Sequence, residues 1–256
     1  MTALRLHLAL VLLFLWGPLV ALAALSLNDA GSAALWPGFS GRWYEALWQN
    51  EAVRQAAGNS ALVALAASLI ATLLGTLLAL GLRAGRRPGP LLEAVALAPL
   101  FVPEVVLAVA LLSLFTLLQA TLGLPTVALS HAVLSLAFVT ALVRRRLGVC
   151  DAQVLEASRN LGAGAFTTFR RVTLPLALPG VLAGWLLALA LSIDEYVVAS
   201  LTAGPEPGAA TLPMLAWTMI RSGTAPEVNA LATLFLLVSF VLVLLALRLS
   251  RPARAL

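Results

Sequence analysis

Three carboxylates interrupt otherwise apolar runs in this chain: Glu104, Asp194 and Glu195. An ionisable group inside a membrane-length apolar segment is costly and marks either a solute pathway or a pairing partner. A carboxylate that lines a cavity attracts cations, and an aromatic face beside it adds about 0.5–2 kcal/mol per favourable cation–π contact. Tyr196, Trp185 and Trp217 are the aromatic residues available for that work. For Asp194 there are two readings: a carboxylate facing a cation path, or a helix-end group that pairs or caps at the outer water boundary. Glu195 follows it directly and on a continuous helix points about 100° away, toward a partner surface. Glu104 follows Pro103, whose ring removes a backbone donor and frees a carbonyl. That combination reads as a kinked gate or as a packing kink with Glu104 bonded to a neighbouring helix. Glu93 reads as a helix N-terminal or interface residue. His7 and His131 have no partners at metal-ligand spacing and read as structural. The single cysteine, Cys150, excludes an internal disulfide and a multi-cysteine metal site.

The composition says what must carry these groups. Hydrophobic residues make up 61% of the 256 residues and charged residues only 11%, against about a quarter charged in a soluble domain. There is too little polar surface to coat a water-soluble globule, so lipid is part of the solvent. All 16 basic residues are arginine. With no lysine there is no phosphate-binding loop ending Gly-Lys-Ser/Thr, so ATP chemistry belongs to another polypeptide. No nucleophile–base or metal cluster is visible that would make the chain an enzyme.

A spanning helix needs about 20 apolar residues. Six stretches qualify: Leu6–Leu27, Asn59–Leu82, Leu91–Leu118, Thr126–Val143, Pro179–Leu201 and Val228–Leu247. The first has a basic start at Arg5 and an Ala21-Leu22-Ala23 resembling a cleavage site. Its apolar run exceeds the 7–15 residues of a signal core, so a retained helix is expected. The third, with Pro99 and Pro103, is the least regular. With the N-terminus inside, the cytoplasmic segments hold 13 of the 16 arginines. The arginine excess marks the cytoplasmic side, so both termini are expected inside, and the basic patches need no nucleic acid. The outer stretch Asn28–Gly58 carries Trp36, Trp43, Tyr44 and Trp48 and reads as an interfacial helix. A second outer stretch, Thr202–Pro226, contains the run Leu212–Ile220, too short to span.

The inner connection of about residues 144–178 is too long for a simple link. Asp151 is placed to cap a helix from Ala152, with Val154, Ser158 and Leu161 on one face. Gly162 ends that helix in a left-handed conformation. A second short helix follows, with Phe166 and Phe169 on its apolar face and Arg170 and Arg171 exposed, stopped by Leu174-Pro175. Two short helices meeting at a glycine corner make a knob projecting from the membrane. The run Glu156-Ala157-Ser158-Arg159-Asn160-Leu161-Gly162, followed by Val172-Thr173-Leu174-Pro175, resembles the EAA motif of ABC importer permeases. Ser158 departs from that motif's second alanine, one small residue for another.

Further stretches are similar to spermidine/putrescine permeases: Trp43-Tyr44-Glu45-Ala46-Leu47, Pro103-Glu104-Val105-Val106, Thr211-Leu212-Pro213-Met214, the nine residues from Ser192 to Ser200, and the eight from Pro226 to Thr233. The turn Gly204-Pro205-Glu206-Pro207-Gly208 departs from the shorter Gly-Pro-Gly of that family. The resemblance implies an all-α membrane protein with six transmembrane helices in the type I (MetI-like) permease fold, one domain spanning 1–256 with its core at about 55–250. It implies ATPase coupling through Glu156, Ala157, Gly162, Leu174 and Pro175; the carboxylates and aromatic residues in the spans read as a substrate path along Glu104, Asp194, Glu195, Tyr196 and Trp217. The implied partners are a second, homologous permease, two cytoplasmic ATPases that bind the ATP and magnesium, and a periplasmic polyamine-binding protein, all at a bacterial inner membrane. Rival readings keep the architecture and change the cargo to ferric iron, a phosphonate or an opine. Another rival makes the chain a stand-alone secondary transporter, which predicts charged relays or inverted repeats that the sequence does not display.

Overall fold

The computed structural model describes residues 2–30, 35–84, 90–149, 152–206, 208–223 and 225–250. The chain is helical almost throughout: α1 Thr2–Leu25, α2 Arg42–Gln49, α3 Glu51–Ala84, α4 Pro90–Leu97, α5 Glu104–Leu117, α6 Leu124–Val149, α7 Ala152–Asn160, α8 Ala165–Thr168, α9 Leu174–Asp194, α10 Val197–Thr202, α11 Leu212–Ser222 and α12 Ala225–Ser250. Among the described residues five segments are long and apolar enough to cross a membrane, and the total is up to six when the α4–α5 pair, bent by 105° at its break, is taken as one broken span.

The core is α3, α6 and α9, and small residues decide how closely they pack. Ala64, Ala67, Ala71 and Ala79 of α3, Ala132 and Ala137 of α6, and Ala177, Ala183 and Ala188 of α9 are all almost fully buried. With lipid as solvent there is no hydrophobic drive between helices, and small side chains let backbones approach for dispersion contact. Gly180 shows how close. A Cβ there would lie 2.7 Å from Cβ of Arg146. At one end of the bundle Arg83 donates to the Leu147 carbonyl at 2.8 Å, Arg146 donates to that of Leu176 at 3.2 Å, and Arg144 pairs with Glu93 at 2.6 Å. At the other end Asn59 donates to the carbonyls of Gly208 (2.5 Å) and Ala210 (2.9 Å). Ser60 Oγ there accepts the Leu212 N–H.

Three expected spans change shape. The third is not one helix. A 3₁₀ turn at Ala98–Leu100 and the extended Pro103 (φ −54°, ψ 134°) separate α4 from α5, because Pro99 and Pro103 both lack the donor a continuing helix needs. The fifth stops at Asp194 rather than Leu201, since Glu195 is extended (φ −73°, ψ 118°). The second begins at Glu51, eight residues before the apolar run, because the helix continues into water after its hydrophobic stretch ends. The interfacial helix is present as α2. Trp43 Nε1 donates to the Asn28 carbonyl (2.8 Å), and Tyr44 Oη lies 2.7 Å from Ser26 Oγ. By contrast α1 stands apart, its faces exposed, with Trp16 edge-on to Phe240 of α12 as its aromatic contact. Cys150, Asp151 as a cap, Arg86, Arg87, Pro207, Arg251 and Arg254 lie outside the described residues.

Candidate functional site

The knob is built first by local rules. Helix α7 ends in a Schellman motif: the Gly162 N–H bonds the Arg159 carbonyl (2.9 Å) and the Ala163 N–H that of Ser158 (3.1 Å). Gly162 sits at φ +80°, where a Cβ would touch nothing within 4 Å. The demand for glycine is therefore one of backbone conformation and not of space. Ser158 Oγ lies 3.0 Å from Thr168 Oγ1, joining α7 to α8. The outer surface stays apolar, with Leu161 88% and Phe166 73% exposed. Glu156 and Ala157 are exposed on α7.

On α7, Val154 is exposed, Ser158 meets α8 and Leu161 is the first residue past the helix end. One expectation for the knob needs correcting: Leu174 and Pro175 do not stop the second helix. A π-helical turn at Phe169–Thr173 carries α8 into α9, and the Leu174 N–H bonds the Phe169 carbonyl. The extra residue in that turn accommodates the donor Pro175 lacks. Residues Ala165–Asp194 are consequently one continuous helical rod, about 45 Å long at 1.5 Å per residue.

The far end of that rod carries the carboxylates. Asp194 Oδ2 accepts a 2.6 Å hydrogen bond from Ser239 of α12. Glu195 is buried at 7% exposure, and its Oε1 accepts the Val198 N–H at 2.6 Å. It thus satisfies a free donor at the start of α10. The two carboxylates do not diverge on a continuous helix. They flank a break, and both border one cavity of about 380 Å³ together with Glu104 and Tyr196. Glu104 reaches it from the first turn of α5, aimed by the Pro103 bend. An adjoining cavity of about 280 Å³ is bordered by Asp194, Tyr196 and Trp217. The Tyr196 and Trp217 rings lie 5.5 Å apart at 39°. All five residues of the expected path therefore meet around two adjoining spaces, while Trp185 borders neither.

Sequence reasoning missed two residues here. Ser239 is the polar residue of an apolar stretch in α12, a signal that was present. Ser192 bonds the buried His131 Nδ1 at 2.7 Å, a pairing 61 residues apart with no local sign. Glu93 lies at the other end of the bundle, ion-paired to Arg144. Among the described residues no group of three His, Cys, Asp or Glu is placed to hold a metal.

Comparison with known proteins agrees with this architecture. Residues 71–254 match the family described as binding-protein-dependent transport system inner membrane component. The chain is 37% identical to the spermidine/putrescine transport system permease protein PotC of Escherichia coli K12, covering 90% of this chain and 87% of that protein. It is 38% identical to the putrescine transport system permease protein PotI of the same organism, covering 87% and 82%. A chain in the crystal structure of a bacterial ABC transporter involved in the import of the acidic polysaccharide alginate superposes with a TM-score of 0.76 at 17% identity, covering 99% of this chain and 96% of that one. A chain of the inward-facing MetNI methionine ABC transporter gives 0.63 at 19%, covering 79% and 98%. The chain belongs to the binding-protein-dependent inner-membrane permease family, in its spermidine/putrescine branch. It is a multi-pass inner-membrane permease subunit of an ABC importer, with the MetI-like fold, and it moves a small solute while other chains hydrolyse ATP.

Proposed function

With that membership as premise, we propose that the solute is a polyamine, putrescine or spermidine, and that the cavity at the end of α9 is its path. The observation that carries the reading is the convergence of Glu104, Asp194 and Glu195 with the Tyr196–Trp217 ring pair. Clustered carboxylates attract the ammonium groups of a flexible polycation, and the ring faces suit those groups and the aliphatic spacers between them. The cargo of the related spermidine/putrescine and putrescine permeases supports the same reading.

The mechanical half of the proposal concerns the knob. Glu156, Ala157 and Gly162, with Leu174 and Pro175 at the base of the rod, couple the permease to a cytoplasmic ATPase. Exposed Leu161 and Phe166 offer the apolar contact such a cleft would cover. A push on the knob travels along the continuous helix Ala165–Asp194 to the carboxylate break. A second, homologous permease completes the path, two ATPases close below it, and a periplasmic polyamine-binding protein delivers cargo. Both termini are cytoplasmic, which puts the carboxylate cavity toward the delivery protein.

The test is uptake by the complex purified with its genomic partners into proteoliposomes. ATP-dependent accumulation of labelled putrescine or spermidine, undiminished by excess ferric iron, phosphonate or opine, is expected. Transport of one of those competitors, with polyamine ignored, would keep the permease and overturn the cargo.

A further inference from the structure

Besides the two carboxylate cavities the structure holds a larger, mainly apolar chamber. It lies between α2, α3, α11 and α12 with Ile193 of α9 at its edge, holds about 450 Å³, and is walled by Leu47, Leu231, Leu234, Phe235 and Val238. Its rim carries Trp48, 76% exposed, and the exposed guanidinium of Arg54. Arg54 has no ion pair or side-chain hydrogen bond among the described residues, although Glu51 stands one turn earlier on the same helix. An apolar chamber with one free cation at its mouth is built for a molecule with an apolar body and an anionic head.

The depth of the site fits that chemistry. Arg54 and Arg83 are 29 residues apart on α3, about 44 Å of helix. A bilayer including its headgroup regions is about 40–45 Å thick. If Arg83 lies at one phosphate level, Arg54 lies at the other, with Trp48 in the interfacial zone where tryptophan concentrates. The chamber then extends from the headgroup level toward the hydrocarbon.

We propose that this chamber is a lipid site, holding one acyl chain of an anionic phospholipid such as phosphatidylglycerol with the phosphodiester paired to Arg54. The site shares Phe235 with the smaller carboxylate cavity but none of the five residues of the polyamine path, and it rests on the transmembrane placement of α3, not on the cargo. The bound lipid fills the gap under α2 and ties the interfacial helix to α12.

The test uses the assembled complex in phosphatidylcholine nanodiscs doped with phosphatidylglycerol carrying a photoactivatable group midway along one acyl chain. Adducts are expected on the peptides bearing Leu231–Val238 and Leu47–Arg54. Arg54→Gln should lower them about tenfold, the loss of one charge-assisted contact, and Arg54→Lys should largely restore them. Ala57→Phe, which narrows the chamber, should remove adducts from labelled phosphatidylglycerol and labelled phosphatidylcholine alike. Adducts unchanged in Arg54→Gln overturn the headgroup assignment. Adducts absent from the native complex, with chamber residues cross-linked to the second permease instead, overturn the lipid as occupant. Polyamine uptake by the same preparation is scored separately, so failure of either reading is distinguishable from failure of the other.

Discussion

The knob and the carboxylate cavity sit at opposite ends of one helical rod and are built by opposite means. The knob is local. Its corner, its cap bonds and its exposed apolar tip all come from residues 152–168, and Gly162 alone sets the turn. The cavity is assembled from α5, α9, α11 and α12, with side chains delivered by two helix breaks, at Pro103 and at Glu195. A locally coded device fails through one residue, whereas a distributed one loses function in increments.

Gly162→Val should show the largest effect. A left-handed conformation costs an ordinary L-residue roughly 1–2 kcal/mol and a β-branched one more. Because a Cβ at Gly162 meets no atom of this chain within 4 Å, any loss within the chain must come from the backbone. Membrane insertion should be normal, while ATP-coupled uptake falls by more than about tenfold. Gly162→Asn, which tolerates the left-handed region, should behave nearly as wild type. Equal loss in both variants would mean that the corner conformation is not what matters.

A second variant probes the rod between the two regions. Gly180→Ala forces a Cβ against Arg146, and overpacking of this kind costs about 1–3 kcal/mol. Thermal unfolding of the purified complex should shift down, and coupling should weaken at both ends. A neutral result would indicate that α6 and α9 slide freely here.

At the cavity, effects should be smaller and graded. Trp217→Ala removes the partner of Tyr196 and should raise the KM for spermidine several-fold, in keeping with about 0.5–2 kcal/mol for a cation–π contact. No change in KM would remove the ring pair from the path. The smallest effect on the fold is expected from Glu195→Gln, whose amide oxygen still accepts the Val198 N–H. Glu195→Ala should cost about 1 kcal/mol of local stability as a lost cap, visible as faster amide exchange in α10.

The same contrast decides what could be read from the sequence. The corner of the knob was legible because a helix-ending glycine acts within a few residues. Six spans were legible from apolar runs, yet their ends were not: α3 begins eight residues before its hydrophobic stretch and α6 continues through Arg144–Arg146. Hydropathy marks the edge of the bilayer, and a helix has no physical reason to end there. The run of Leu174-Pro175 suggested a stop, but a π turn absorbs the missing donor. At the cavity, the carboxylates were recognisable by their cost in an apolar run. The bond from Ser239 to Asp194 spans 45 residues, and the break between Asp194 and Glu195 depends on tertiary packing, so neither had a local signal.

The account turns on Asp194, the carboxylate that borders both cavities. The direct measurement is ATP-driven uptake by the reconstituted complex, comparing wild type with Asp194→Asn for spermidine, putrescine and a monoamine. The substitution keeps the shape and a bond to Ser239 while removing the charge. Loss of one charge-assisted contact should lower spermidine uptake efficiency by about tenfold, with a smaller loss for putrescine and the smallest for the monoamine. Wild-type kinetics for all three amines, in a complex shown to be fully assembled, would contradict the account and leave Asp194 as a partner of Ser239 alone.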